Sequence, residues 1–365
     1  MLGTSEMEIN LGPQHPSTHG VLRVKLRLDG ERILDASPII GYLHRGCEKL
    51  GESRTYPQAI VYTDRMDYVA AVNENVVYVE AVEKLLGLQV PPRAQYLRVI
   101  LSEFQRIASH LVWLATHALD LGAMSVFLYC FREREQILDL FEGYCGARLT
   151  TNAVRIGGMY EDLPEGWVEE ARRFLEILPA RLDEYHKLLT KNRIWLERTR
   201  EVGVIAGDVA LDYGVTGPCL RASGVSYDVR KAIPYAAYPE FDFDVPLGTR
   251  GDTYDRYLVR MEEMRQSRRI ILQALDRLPD GEIRGKAPRR IRPSKGEVYH
   301  VNEGPRGELG VYLISDGSDN AYRCRFRSPC FVNLQALPEL CRGHLVADVV
   351  AIIGTLDVVL GCVDR

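Results

Sequence analysis

The chain has 365 residues, 46% of them hydrophobic and 26% charged, with a formal net charge of −4. Such a length buries a large core and holds two or three substructures, while the mild acidity excludes the global basic field of a nucleic-acid binder. The first residues, MLGTSEMEINLGP, lack the basic and apolar runs of a signal peptide, and the apolar segment 345–360 is short and interrupted by Asp348 and Asp357, so a soluble chain is expected.

In chain order, Glu8 to Leu11 and Val21 to Leu28 alternate apolar and polar residues with period two. They predict two antiparallel strands joined by GPQHPSTHG, and a third strand follows over Ile33 to Ile39 after the turn Asp29-Gly30. From about Arg45 the period becomes helical. One helix ends at Gly87, and Pro91-Pro92 punctuates the next loop. Long helical patterns then cover Ala94–Leu121, Val126–Cys145, Trp167–Lys191 and about Asp252–Leu278, which predicts a bundle. A loop-rich insertion occupies 203–250. The basic linker KAPRRIRPSK (286–295) leads to strands at Glu308–Ile314 and Ala321–Arg327 and a last helix near Leu345–Gly354. The expected fold class is α+β. It divides into a β-rich region (1–60), a helical bundle (61–285), and a linker with C-terminal hairpin and helix (286–365).

The stretch Gly41–Asn73 packs His44, Arg45, Glu48, Lys49, Arg54, Asp64, Arg65, Asp67 and Tyr68 between apolar residues. Helical spacing would place Asp64, Asp67 and Tyr68 on adjoining positions. So many charges in a packing sequence are either solvated or used. His15 and His19 lie in GPQHPSTHG, a loop stiffened by prolines. They read as exposed loop histidines or as imidazoles fixed for proton exchange near neutral pH. Tyr68 reads as a core phenol with one wet end or as a donor. Asp120, closing an apolar helix, either faces water or needs a partner such as histidine. His110 and His117 have no Glu-x-x-His beside them and read as packing or surface residues. Gly248 and Gly251 lack the context of a phosphate loop.

Eight cysteines are present without a single C-x-x-C pair, so neither a zinc ribbon nor a self-contained iron–sulfur site is expected. Mostly buried, reduced thiols are expected instead.

Taken together, GPQHPSTHGVLR, GYLHRGCEK, YTDRMDY, LSEFQRIASHL, DLGAM, RIGG…DLPEGW, GPCLRASG…DVRKA, RSPCFVNLQALP and the terminal VDR resemble one family, in its order and almost end to end. The family is the quinone-site large subunit, or D subunit, of bacterial NADH-quinone oxidoreductase (respiratory complex I). The chain departs from it in the short 286–295 segment. This family is in turn similar to the large subunits of nickel–iron hydrogenases, which hold metal through R-x-C-G-x-C and D-P-C-x-x-C. Here the first motif falls on Arg65–Ala70, with Asp67 and Ala70 at the cysteine positions. The second falls on Asp357–Cys362, and only Cys362 keeps a thiol, so no metal or iron–sulfur cluster is expected on this chain.

The resemblance implies a quinone head-group pocket, closed by a partner subunit bearing a terminal 4Fe-4S cluster. Other peripheral-arm subunits and membrane-arm subunits at the quinone entrance would be further partners, with the chain peripheral on the cytoplasmic side of the cell membrane. It implies that Tyr68 and His19 hydrogen-bond the quinone carbonyls, that Asp120 partners the second nitrogen of His19, that His44 and Arg45 face the cluster, and that His15 shapes the loop. Two other readings remain: a metal-bearing energy-converting hydrogenase subunit, which the missing cysteines oppose, and a non-catalytic scaffold, which the polar set His19, Tyr68 and Asp120 opposes.

Overall fold

A computed structural model describes residues 6–365; residues 1–5, the start of the expected β-rich region, lie outside the described residues. The chain begins with β1 (Glu6–Leu11), β2 (Arg23–Asp29) and β3 (Arg32–Ile39), an antiparallel sheet in that order. Val24, Leu26 and Leu28 of β2 are buried while Arg27 and Asp29 are exposed, as period-two alternation requires. Helices α1 (Cys47–Ser53), α2 (Tyr56–Thr63), α3 (Ala71–Leu86), α4 (Pro92–Asp120) and α5 (Met124–Cys145) follow. A two-stranded ribbon, β4 (Val154–Arg155) and β5 (Gly158–Met159), precedes α6 (Trp167–Leu189) and α7 (Arg193–Thr199). Within the 203–250 insertion the chain makes only short helices: α8 (Gly207–Asp212), α9 (Pro218–Ala222) and α10 (Val229–Ala232). The long α11 (Thr253–Asp276) follows, then the sheet β6 (Gly296–Gly304), β7 (Gly307–Ser315) and β8 (Arg323–Arg327), and finally α12 (Pro329–Leu334), α13 (Leu337–Cys341), α14 (Val346–Leu356) and α15 (Leu360–Asp364). The α+β expectation holds.

Helix α4 is the axis of the molecule. Proline at its first turn costs no hydrogen bond, and Leu97, Leu101, Phe104, Ile107, Leu111 and Leu114 are all buried along it. It packs on α3, α5, α11 and α14, so its buried surface exceeds one apolar stripe. Two apolar cores result. One joins α2–α6, α11 and the β6–β8 sheet; the other joins the N-terminal sheet to α8, α9 and the C-terminal helices. Segments from opposite ends of the chain therefore share a core. Strand β6 was not anticipated from the sequence: Val301 to Gly304 are buried without alternation because Asn302 and Glu303 point into polar clusters.

Tyr68 is not helical. Helix α2 stops at Thr63, and short turn bonds replace the helical ladder: Arg65 N–H to Tyr62 O, Met66 N–H to Thr63 O and Ala70 N–H to Asp67 O. Thr63 Oγ1 donates back to Ile60 O at 2.8 Å and Asn75 Nδ2 donates to Thr63 Oγ1 at 2.8 Å, so side chains occupy the last turn. The expected helical face of Asp64, Asp67 and Tyr68 is corrected accordingly: Asp64 and Asp67 are buried and Tyr68 is part-exposed.

Candidate functional site

The first loop, the 64–70 connection and the C-terminal segment meet at one seam. In the first loop, Gly12 has φ +74°, and a Cβ there would lie 2.2 Å from Leu22 O; only glycine lets the loop close. His15 caps the short 3-10 turn at 16–18, its Nδ1 accepting from Ser17 N–H at 3.2 Å. His19 follows at φ 52°, a left-handed conformation that a side-chain-bearing residue seldom adopts. Its Nδ1 lies 2.6 Å from Val358 O. A carbonyl only accepts, so Nδ1 carries a proton and donates. Among the described residues Nε2 makes no hydrogen bond, and His19 is exposed.

Asp120 ends α4 half-buried. Burial raises its carboxyl pKa, and the nearby His19 and His15 oppose the rise. No hydrogen bond joins Asp120 to His19 among the described residues; Nδ1 of His19 is held by Val358 instead. The expected Asp120–imidazole contact is therefore an interaction through space.

Tyr68 is 37% exposed, and among the described residues its hydroxyl has no hydrogen-bond partner. Burial of its ring side, then the Asp67 charge, raises its pKa, with Arg306 and Arg45 opposing; the phenol stays protonated. A Cβ on Gly361 would lie 3.2 Å from Tyr68 Cε1 and 3.0 Å from Arg45 Nη2, so a glycine lets both side chains close on the C-terminal segment. Arg45 donates through Nη1 to Arg65 O at 2.8 Å and through Nη2 to Gly361 O at 2.9 Å. His44 donates from Nδ1 to Asp364 O at 2.6 Å. Asp364 in turn accepts from Gly41 N–H and Leu43 N–H at 2.8 and 2.7 Å, which fixes the HRG loop. His44 and Arg45 are both exposed. The segment 357–364 is thus the common platform for His19, Tyr68, His44 and Arg45.

Behind that platform lies Arg306, a residue that the sequence did not single out. It sits between β6 and β7, 2% exposed, and donates to Asp67 Oδ2 (2.9 Å), Ser109 Oγ (2.9 Å), Asp357 O (2.7 Å) and Asp357 Oδ1 (3.0 Å). Burial works against its charge, but Asp357 and Asp67 outweigh burial and hold it charged. The sequence PRG reads as a solvent-facing turn, which hid it. The hydrogenase-like metal positions do not fit a metal: Asp67 is committed to Arg306, Ala70 and Val359 offer no ligand, and Cys362 Sγ lies 2.8 Å from Ser328 Oγ. Burial pushes the Cys362 thiol well up. Among the described residues no three His, Cys, Asp or Glu side chains converge as a metal site. Burial likewise raises the carboxyl of Glu74, beside Cys362.

His110 and His117 stand apart from this seam, fully buried. His117 stacks on Trp113 (centroids 5.4 Å) and meets Trp195 edge-on (5.3 Å), and burial together with Arg260 and Arg256 pulls its pKa down to about 3. His110 Nε2 pairs with Glu263 at 2.8 Å. Glu263 opens a buried network. Arg221 reaches Glu263 (2.7 Å) and Glu303 (2.8 Å), Arg230 reaches Asp228 (2.6 Å) and Glu103 (3.1 Å), and Arg106 reaches Glu103 (3.2 Å). Three guanidiniums meet four carboxylates, and of the four it is Glu303 whose pKa burial raises.

Comparison with known proteins bears on the whole chain. A model of the family described as respiratory-chain NADH dehydrogenase, 49 Kd subunit, matches residues 120–365. Solibacter usitatus has two NADH-quinone oxidoreductase D subunits, and the chain is 58% identical over 364 residues to the second, covering 100% of this chain and 98% of the relative. It is 53% identical to the D subunit of NADH-quinone oxidoreductase from Geotalea uraniireducens, with both chains covered completely. A D subunit of the same enzyme from Thermodesulfovibrio yellowstonii is 52% identical, covering 98% of this chain and 96% of the relative. No described helix is long and apolar enough to cross a membrane.

Proposed function

The chain belongs to the family of the 49 Kd subunit of respiratory-chain NADH dehydrogenase, and from that premise we propose that its seam of His19, Tyr68 and Asp120 reduces quinone to quinol. The site is completed by a partner subunit whose terminal 4Fe-4S cluster supplies the electrons. Other peripheral-arm subunits and, at the quinone entrance, membrane-arm subunits adjoin it on the cytoplasmic side of the membrane. The observation that carries this reading is the pair of proton-bearing groups, Tyr68 Oη and the His19 ring, anchored to one segment with their outer ends uncommitted.

A quinone takes two electrons and two protons to become quinol, and donors placed at its two oxygens stabilise the charge that develops there. Tyr68 donates to one carbonyl. Its raised pKa keeps the proton until reduction makes the oxygen a strong base. His19 serves the other. Because Nδ1–H is held by Val358 O, Nε2 can donate only when the ring is the imidazolium. Asp120, at the end of α4, places a carboxyl beside that ring. On giving up the Nε2 proton the ring returns to the neutral tautomer already fixed by Val358, so no ring flip is needed. Both protons are then restored from solvent. His44 and Arg45, exposed and pinned to the C-terminal segment, present fixed donors to the cluster-bearing partner, where a positive charge favours cluster reduction.

The test is Tyr68→Phe in the assembled complex. The terminal cluster should be reduced normally by the upstream donor, while quinone reduction falls roughly 10²–10⁴-fold. Wild-type turnover in that variant returns the chain to the scaffold reading.

A further inference from the structure

We propose that Arg306 is a positioning residue for both proton donors. The inference rests on the reading of Tyr68 and His19 given above and goes beyond it by naming what holds them in register with each other. The two donors lie on segments with little regular structure to fix them. Tyr68 sits in the 64–70 connection between α2 and α3, and the His19 ring hangs on the carbonyl of Val358, between α14 and α15. Each segment has a buried aspartate immediately before the critical residue: Asp67 before Tyr68 and Asp357 before Val358. One guanidinium binds both, with Asp67 Oδ2 on one Nη and Asp357 Oδ1 on the other, while Nε holds the Asp357 carbonyl. Asp357 is itself left-handed, at φ 54°, a conformation that needs such outside support in a residue other than glycine.

The anchor is itself fixed. Arg106 donates to Gly304 O at 2.8 Å and Glu303 O at 2.7 Å, and Asn333 Nδ2 donates to Arg306 O at 3.1 Å. A Cβ on Gly217 would lie 2.5 Å from Arg306 O, so the β6–β7 turn is packed to backbone contact. The planar fork of arginine suits this role, because its nitrogens diverge toward two carboxylates, which a lysine's single ammonium cannot serve with the same geometry. A rigid turn thus sets the spacing between the two donor segments, and with it which quinone oxygens both donors can reach together.

The experiment uses the assembled complex. The terminal cluster is reduced beforehand, a short-chain quinone is mixed in, and cluster reoxidation is followed by freeze-quench electron paramagnetic resonance. Arg306→Lys should slow reoxidation on the order of 10²-fold, the cost of about 1 Å of misplacement, with the cluster signal and the amount of complex unchanged. Asp67→Asn and Asp357→Asn, each of which keeps the arginine and one of its two carboxylates, carry the sharper result and decide the matter if Arg306→Lys lowers the amount of complex. Asp67→Asn should add no further loss on top of Tyr68→Phe, and Asp357→Asn none on top of His19→Ala, whereas the crossed pairs should multiply. Asp357→Asn should also shift the pH profile of the limiting rate as His19→Ala does, while Asp67→Asn leaves it in place. If the losses multiply in all four pairs, or neither aspartate variant slows reoxidation, the positioning role is overturned while the donor reading stands. Wild-type rates in both Tyr68→Phe and His19→Ala overturn the donor reading itself.

Discussion

Glu103, Arg221, Arg230 and Glu263 lie at the centre of the helical body with no polar side-chain atom left unpartnered, whereas His19, Tyr68 and Arg45 lie at an exposed seam. The residue types are similar and the physics is opposite. In the body, three guanidiniums and four carboxylates are withdrawn from water at a cost of several kcal/mol per ion, and only mutual pairing offsets it. Such groups cannot exchange protons without breaking the network, so they hold the fold and are chemically silent. At the seam, His19 is tied through Nδ1 and Tyr68 through its ring edge, which leaves Nε2 and the hydroxyl free, while Arg45 is pinned by two carbonyls on an exposed face. The free ends are available to a substrate or a partner. In this protein uncommitted valence, more than charge, separates the seam from the buried body.

Breaking the buried side should give the largest effect. Arg221→Met takes the guanidinium away from both Glu263 and Glu303 and should cost about 3–5 kcal/mol; the expected outcome is loss of assembled complex on native gels, with cluster reduction lost as well. Normal assembly would show that the network is not what holds the body together. Breaking the seam should leave assembly intact. His19→Ala should lower quinone turnover by roughly 10²-fold or more and alter its pH profile; an unaltered profile would take His19 out of proton transfer. A smaller effect sharpens the contrast from the buried side. His117 stays neutral in the fold down to about pH 3, whereas the unfolded residue binds a proton near pH 6.5. Its contribution to stability is therefore complete above about pH 6.5 and is lost progressively as pH falls toward 3, at a slope near 1.4 kcal/mol per pH unit. Melting temperature followed between pH 6 and pH 4 should fall more steeply in wild type than in His117→Leu; equal slopes would refute the assignment. The smallest effect belongs to the exposed Arg193–Glu197 pair, where Arg193→Ala should leave both melting temperature and turnover unchanged within error.

The long helices were legible because their apolar spacing is dictated by burial: α4, α5, α6 and α11 fall close to the predicted spans. The N-terminal sheet was legible for the same reason, since one of its faces remains wet. Strand β6 was hidden because its end is buried on both sides and carries Asn302 and Glu303 inward, which erases alternation. Tyr68 was identified as a candidate through its family motif, but its helical placement was wrong, since Thr63 and Asn75 end α2 by side-chain hydrogen bonds that no periodicity records. Asp120 was expected on the His19 ring, and a backbone carbonyl holds that place. Arg306 was invisible for a general reason. An arginine flanked by proline and glycine looks like a surface turn, and only the three-dimensional approach of Asp67 and Asp357 reveals it as interior.

The hydrogen bond from His19 to Val358 joins residues 339 positions apart, and that from His44 to Asp364 spans 320. Contacts of such separation carry a large loop-closure cost, which slows folding. During synthesis the first loop and the HRG segment emerge long before their partners exist. These two contacts can therefore close only once the last residues of the chain have been made. Proteolysis or hydrogen exchange across 12–20 and 41–46 would follow the closing of these contacts.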